Sequence, residues 1–145
     1  MHKHMTPYVR LVQYYETDKM GVVHHSNYIR WLEEARIDYI QQSGLSYAAM
    51  EKAGIVTPVT DVTCKYLTSV EFGDTVEIYT RVKFFNGVRI SYAYEIYRVS
   101  DRALAVTGES RHCFWEETRR IPVNLKKWYP DFYHWGLNAL EENAE

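Results

Sequence analysis

The stretch from Tyr14 to Arg36, YYETDKMGVVHHSNYIRWLEEAR, joins a polar loop to a helix start and a long amphipathic helix. Everything after it reads as strands built to wrap that helix. Tyr28, Trp31, Leu32, Ala35 and Tyr39 recur at helical spacing, with Ile29, Ile37 and Ile40 widening the apolar side and Arg30, Glu33, Glu34, Asp38, Gln41 and Gln42 supplying the polar remainder. So wide an apolar face predicts deep burial. The pattern places the helix start at His25, because Gly21, Val22 and Val23 favour an extended turn, with Ser26 or Asn27 as the cap. Ser43-Gly44 marks its end, since glycine accepts the left-handed conformation there. The span is about 18 residues, or roughly 27 Å at about 1.5 Å per residue.

Asp18 lies one short loop ahead of this helix, where unsatisfied backbone N–H groups and the positive end of the helix dipole can hold negative charge developing on an oxygen. A carboxylate beside such a site is a hydrolase arrangement. Ionised, Asp18 can attack an activated carbonyl or draw a proton from water. His25 can orient water or substrate while its amide serves as oxyanion donor, and Tyr14, placed at the end of a preceding strand, can fix the carboxylate through its hydroxyl. Spacing alone favours a structural reading, because Asp before a helix is commonly a cap or turn former and paired histidines are commonly surface residues.

The run Y-x-x-x-D-x-x-G-V-V-x-H-x-x-Y-x-x-W-x-E-x-A-R, filled by Tyr14, Asp18, Gly21, Val22, Val23, His25, Tyr28, Trp31, Glu33, Ala35 and Arg36, resembles the signature of the hotdog-fold acyl-CoA thioesterases. Within them it is similar to the 4-hydroxybenzoyl-CoA thioesterase-like branch, including its Tol-Pal-associated members, and the likeness runs to about Pro122. The resemblance implies that Asp18 is the catalytic carboxylate, that the His25 amide polarises the thioester carbonyl, and that the Tyr14 and His25 side chains assist. By rough correspondence it also implies contacts to the CoA moiety from Arg89, Ser91, Arg119 and Arg120. Arginine grips phosphate bidentately, although solvated surface charge is an equally ordinary use for each. His24 departs from the family pattern, which commonly has an aromatic or hydrophobic residue there. Two other readings use the same fold. A dehydratase motif places Pro and Gly after its active histidine, whereas His25 is followed by Ser26-Asn27-Tyr28; a non-catalytic acyl-binding or sensing module has no use for Asp18.

At 145 residues the length suits one domain spanning the chain, with a short tail over 1–6 and a helical tail over 124–145. A net charge of -2 gives no basic surplus for nucleic acid. Thirteen tyrosines and four tryptophans suit a packed core and subunit interfaces. Cys64 and Cys113 fall on separate strands without metal-ligand spacing and read as free thiols; no metal or cofactor is called for. The His-rich opening, Met1 to Met5, offers at most casual metal binding. With no membrane span and no signal pattern, a cytoplasmic enzyme is expected.

Along the chain, Pro7–Tyr14 reads as a first strand with Val9, Leu11 and Val12 supplying apolar contacts, and 46–53 as a short helix ended by Gly54, with Leu45 and Met50 either touching substrate or simply packing. Ile55–Tyr66 reads as a long strand disturbed by Pro58 at an edge or bulge. Residues 75–84 alternate with Val76, Ile78, Val82 and Phe84 on one face. Asn86-Gly87 predicts a type I′ hairpin turn with positive φ at both positions. Residues 89–99 return with Ile90, Tyr92, Tyr94 and Ile96 inward, and 103–115 carry Leu104, Val106, Gly108, Ser110, His112 and Phe114 on one side. The tail over 124–142 reads as a helix broken by Pro130 that covers an edge or extends an interface. This order gives the α+β class, an antiparallel sheet wrapped around a long helix, which is the hotdog architecture the resemblance implies. Open sheet edges predict self-association as a dimer or tetramer, and the family shares its active sites across that boundary.

Overall fold

A computed structural model of the chain describes residues 6–143, so the His-rich opening lies outside the described residues. Strand β1 (Tyr8–Leu11) leads through a 3₁₀ turn (Tyr14–Glu16) into helix α1 (His25–Gln42) and the short helix α2 (Tyr47–Lys52). Strands β2 (Ile55–Val56), β3 (Val59–Tyr66), β4 (Thr75–Phe85), β5 (Arg89–Arg98), β6 (Ala103–Cys113), β7 (Trp115–Glu116) and β8 (Ile121–Pro122) follow, then helices α3 (Leu125–Trp128) and α4 (Pro130–Glu142). The main sheet has five antiparallel strands in the order β1-β4-β5-β6-β3, and β2, β7 and β8 form a small second sheet. This is the hotdog arrangement, with α1 lying against the sheet.

Helix α1 begins and ends at the predicted residues. Its cap differs: the His24 imidazole, not Ser26 or Asn27, accepts from the Ser26 amide at 3.2 Å. Gly44, at φ +89°, takes the left-handed conformation past the C-terminus. Tyr28, Trp31, Leu32, Ala35, Tyr39 and Ile40 are buried against the inner faces of β4, β5 and β6, where Val76, Ile78, Val82, Ile90, Tyr92, Tyr94, Ile96 and Val106 are also buried. Each large side chain so enclosed contributes about 1.5–3 kcal/mol of transfer free energy, which is why this stripe dictates the sheet's curvature around it. The helix packs tightly at Gly108, where a Cβ would sit 3.2 Å from Leu32 Cδ1. Ile29 is 45% exposed and is not part of this face, whereas Arg36 is buried beside Tyr92 and Tyr94.

Several strand readings are corrected. The first strand stops at Leu11, Val9 and Leu11 face outward, and Tyr14 belongs to the 3₁₀ turn rather than a strand end. Residues 55–66 split at Thr57-Pro58 into two sheets, with a register shift between Val59 and Asp61, and 103–115 split likewise after Cys113. A shift between Val82 and Phe84 reverses the alternation, so Phe84 faces outward and Phe85 enters the core. At the hairpin, only Gly87 of the pair has positive φ; the Asn86 carboxamide instead accepts from the Val88 and Arg89 amides at 2.9 and 2.8 Å, so the turn is not type I′. Leu104 is only half-buried. The tail helix is broken at Pro130 as expected: α3 ends at Trp128 and Pro130 starts α4, as suits a residue with no amide to donate. The tail then packs Phe132 on Phe114 and Phe85, and Trp135 on Tyr39, closing the far end of the core. Among the described residues no helix is long and apolar enough to cross a membrane.

The α4 seat depends on Gly136, whose missing Cβ would lie 2.5 Å from Phe85 Cε2. Gly136→Ala adds about 1 kcal/mol of helix propensity, but forcing the buried Phe85 ring aside costs about 1–3 kcal/mol. We expect a net loss of stability in denaturant titration; an unchanged or higher midpoint contradicts the contact.

Candidate active site

The loop before α1 folds as a small hairpin: Thr17 bridges Val23, the Asp18 amide donates to the Val22 carbonyl at 2.9 Å, and the Gly21 amide to the Asp18 carbonyl at 3.0 Å. Gly21, at φ +79°, supplies the reversal that a side-chain-bearing residue would resist. The loop is tied across to the 66–71 segment, since the Val23 amide donates to the Val70 carbonyl at 2.8 Å and Val22 bridges Glu71. Asp18 is half-buried, and one carboxylate oxygen accepts from the Met20 amide at 2.8 Å. That bond orients the group and leaves its second oxygen without a hydrogen bond among the described residues.

Asp18 and His25 line one cleft of about 330 Å³, bounded also by Tyr28 and Tyr66. Their rings lie 5.4 Å apart and form an aromatic wall. His24 consumes the amides of the first helical turn selectively: Ser26 N–H goes to its imidazole and Asn27 N–H to its carbonyl at 3.0 Å. The His25 amide has no acceptor among the described residues. A free N–H at the positive end of an 18-residue helix, in the same cleft as a half-buried carboxylate, can bind an oxygen that gains charge. The His25 imidazole is exposed and stacks on His24 with ring centroids 4.2 Å apart, within 6.4 Å of Tyr66. Tyr14 is elsewhere: it is 76% exposed and packs edge-on against Phe72, outside the residues that bound the cleft.

Arg89 and Ser91 border a second cleft of about 540 Å³ at the β4–β5 hairpin end of the sheet. Lys83 and Arg111 there are paired, with Glu109 at 2.7 Å and Asp61 at 3.2 Å, whereas Arg89 has no ion pair among the described residues. Arg119 pairs with Glu116 at 3.3 Å and lies over Trp128, and Arg120 occupies a turn at φ +55°. Neither borders either cleft. Met50 and Leu45 pack in the core rather than in the Asp18 cleft. Within one chain the two clefts are apart, since Tyr66 at one end of β3 borders the first and Thr60 near the other end borders the second. The two residues are six positions apart along the strand, about 20 Å.

Sequence reasoning passed over two features. The first is Glu16, two residues before Asp18, which is buried and bonded on every side. The second is a buried polar chain from the helix to the second cleft. Arg36 donates to the Tyr94 hydroxyl at 3.4 Å, Tyr94 and Ser110 hydroxyls meet at 2.6 Å, and Ser110 meets His112 Nε2 at 2.8 Å. Arginine only donates, so the Tyr94 oxygen accepts from Arg36, and the Ser110 hydroxyl bridges the Tyr94 hydroxyl and His112 Nε2. Burial, with the Arg36 cation adding to it, lowers the His112 pKa from 6.5 to about 4. Its polar members sit at positions where alternation alone reads only as inward-facing.

Residues 12–136 match the family described as the thioesterase-like superfamily. The solved structure of a DHNA-CoA thioesterase from Staphylococcus aureus superposes with a TM-score of 0.87 at 37% identity, covering 95% of this chain and 93% of that one. YneP of Bacillus subtilis is 34% identical over 122 residues, 84% of this chain and 88% of that protein. The acyl-CoA thioesterase YbgC of Helicobacter pylori is 28% identical over 136 residues, covering 89% of this chain and 97% of its own.

The polar chain makes a pH prediction. Between pH 6.5 and about 4 the unfolded His112 binds a proton that the folded one refuses. Its contribution to stability is therefore complete above pH 6.5 and is lost as pH falls toward 4, by up to about 3 kcal/mol. His112→Gln should flatten that part of the stability–pH curve relative to the parent; identical curves contradict the burial of a neutral imidazole.

Proposed function

The chain belongs to the thioesterase-like superfamily, and from that premise we propose that it hydrolyses an acyl-CoA to the free acid and CoA at the Asp18–His25 cleft. The carrying observation is that an amide of the first helical turn with no acceptor among the described residues shares a cleft with a carboxylate whose second oxygen has no donor among them. The thioester carbonyl accepts from the His25 N–H, which stabilises charge on its oxygen as the carbon becomes tetrahedral. Asp18 attacks that carbon, or takes a proton from the water that does. In the first route the C–S bond breaks to leave the acyl group on Asp18 as a mixed anhydride, which water then hydrolyses to the free acid and the restored carboxylate; in the second the tetrahedral adduct of water expels the sulfur directly. In both the sulfur leaves as a thiolate, which takes up the proton released from water. The exposed His25 imidazole stands where it can order the attacking water. The Tyr28 and Tyr66 rings support an acyl group flanked by aromatic surface, and the S. aureus relative, which acts on DHNA-CoA, makes that thioester the first to try.

A second copy completes this reading. Strand β3 is a sheet edge, paired among the described residues with β6 alone, and it exposes Val59 and Tyr66. Such an edge calls for a partner strand. Antiparallel pairing of two β3 strands sets the Tyr66 end of one against the Thr60 end of the other, which brings the Arg89–Ser91 cleft of one protomer beside the Asp18–His25 cleft of the other. Arg89, with no carboxylate of its own, then meets the CoA phosphates. Arg119 and Arg120 border neither cleft, so this reading assigns the phosphate contact to Arg89.

Asp18→Asn and Asp18→Ala should fold normally and lose about 10²–10³-fold or more in kcat. The assay is thiol release from a panel of aliphatic and aromatic acyl-CoAs; full activity in either variant, or no release by the parent from any member, overturns the assignment. Arg89→Ala should raise KM for acyl-CoA by about 5–10-fold with kcat held, and leave acyl-pantetheine unaffected. Equal KM changes for both substrates contradict a phosphate contact. Mixing Asp18→Asn with Arg89→Ala should restore part of the activity if the clefts combine across two copies.

A further inference from the structure

We propose that Glu16 is a positioning residue, whose buried carboxylate fixes the Asp18 loop relative to the open amide of His25; this rests on the thioesterase reading above. Glu16 is 3% exposed, in a loop whose neighbours Tyr14 and Tyr15 are both more than three-quarters exposed. Both carboxylate oxygens are occupied. Arg10 of β1 donates to them at 3.1 and 2.8 Å, the Trp31 indole of α1 donates at 2.9 Å, and the Gln13 amide donates at 2.8 Å. The Glu16 carbonyl holds the other side of the loop, accepting from the His24 amide at 2.8 Å and from the Asn27 carboxamide at 2.9 Å. One residue thus bonds the first strand, the middle of the helix and the helix's opening turn.

The placement of these bonds explains why they bear on the reaction. His24 N–H, fixed by the Glu16 carbonyl, belongs to the residue whose carbonyl and ring claim the Asn27 and Ser26 amides and leave His25 N–H open. Asp18 follows Glu16 by two residues, inside the hairpin that Thr17 closes. The carboxylate needed for reaction and the amide needed for its oxyanion therefore hang from opposite sides of one buried anchor. Arg10 is itself held by Glu34 at 3.0 Å and lies over Trp31, so the anchor cannot swing with the exposed loop. A displacement of about 1 Å between reacting groups costs on the order of 100-fold in rate, so such an anchor acts on kcat rather than on binding.

The test is a double-mutant cycle on the full-length protein, with thiol release as the assay and folding followed by circular dichroism. Glu16→Gln keeps the size of the side chain and loses the charge that holds Arg10. Asn27→Ala, at a half-buried position outside the core, removes a single bond to the Glu16 carbonyl and serves if the first variant folds poorly. Each should lower kcat, by about 10–100-fold for Glu16→Gln and less for Asn27→Ala, with KM changed less than about threefold. In an Asp18→Asn background the same changes should leave the residual rate within about twofold, because nothing remains to be positioned. Folded variants with parental kcat, or an equal loss in both backgrounds, overturn the proposal while leaving Asp18 as the catalytic group. A parent that releases no thiol overturns the thioesterase reading, and this inference with it.

Discussion

A single requirement governs the structure: α1 must be wrapped along its length and left open at its first turn. Its buried stripe from Tyr28 to Ile40 is too wide to be covered by one neighbour, so β4, β5, β6 and the C-terminal helix close on it. Burial is non-directional and tolerates many arrangements, but the open turn does not. Two of its amides are taken by His24 and one is spared, and that selection depends on a residue held by the buried Glu16 rather than on the helix itself.

The sheet resolves the same requirement at its edge. Because β3 borders α1 only along part of its inner face, Val62 and Cys64 are half-covered and Tyr66 is exposed where it joins the Asp18 cleft. A strand that was packed on both sides would seal the cleft. An edge strand leaves room for substrate and, in the arrangement we propose, for a second protomer. The cost of exposing β3 is thus tied to the position of the chemistry.

Much of this was legible in the chain. The bounds of α1, its glycine stop, the inward set Ile90, Tyr92, Tyr94 and Ile96 and the disturbance at Pro58 follow from periodicity and backbone sterics, which act over a few residues and write themselves into local order. The failures share a cause: a competing interaction that local pattern does not encode. Imidazole outcompeted the hydroxyl and carboxamide as cap because His24 is fixed by the Glu16 carbonyl eight residues away. The register shift at Val82 exchanged Phe84 for Phe85, and an extra residue in a strand leaves no mark in composition. Tyr14 was drawn to Phe72 by a contact across the loop. At the candidate site, spacing brought Asp18 and His25 forward, while Glu16 stood in view as an unremarked position beside them, since its importance lies in burial.

The claim on which all else depends is geometric, and a crystal structure with a non-hydrolysable acyl-CoA ketone tests it most directly. The account predicts the ketone oxygen about 3 Å from the His25 amide nitrogen, with an Asp18 carboxylate oxygen about 3–3.5 Å from the carbonyl carbon or from a water between them. A ligand bound with its carbonyl away from the start of α1, or with Asp18 facing solvent, contradicts it.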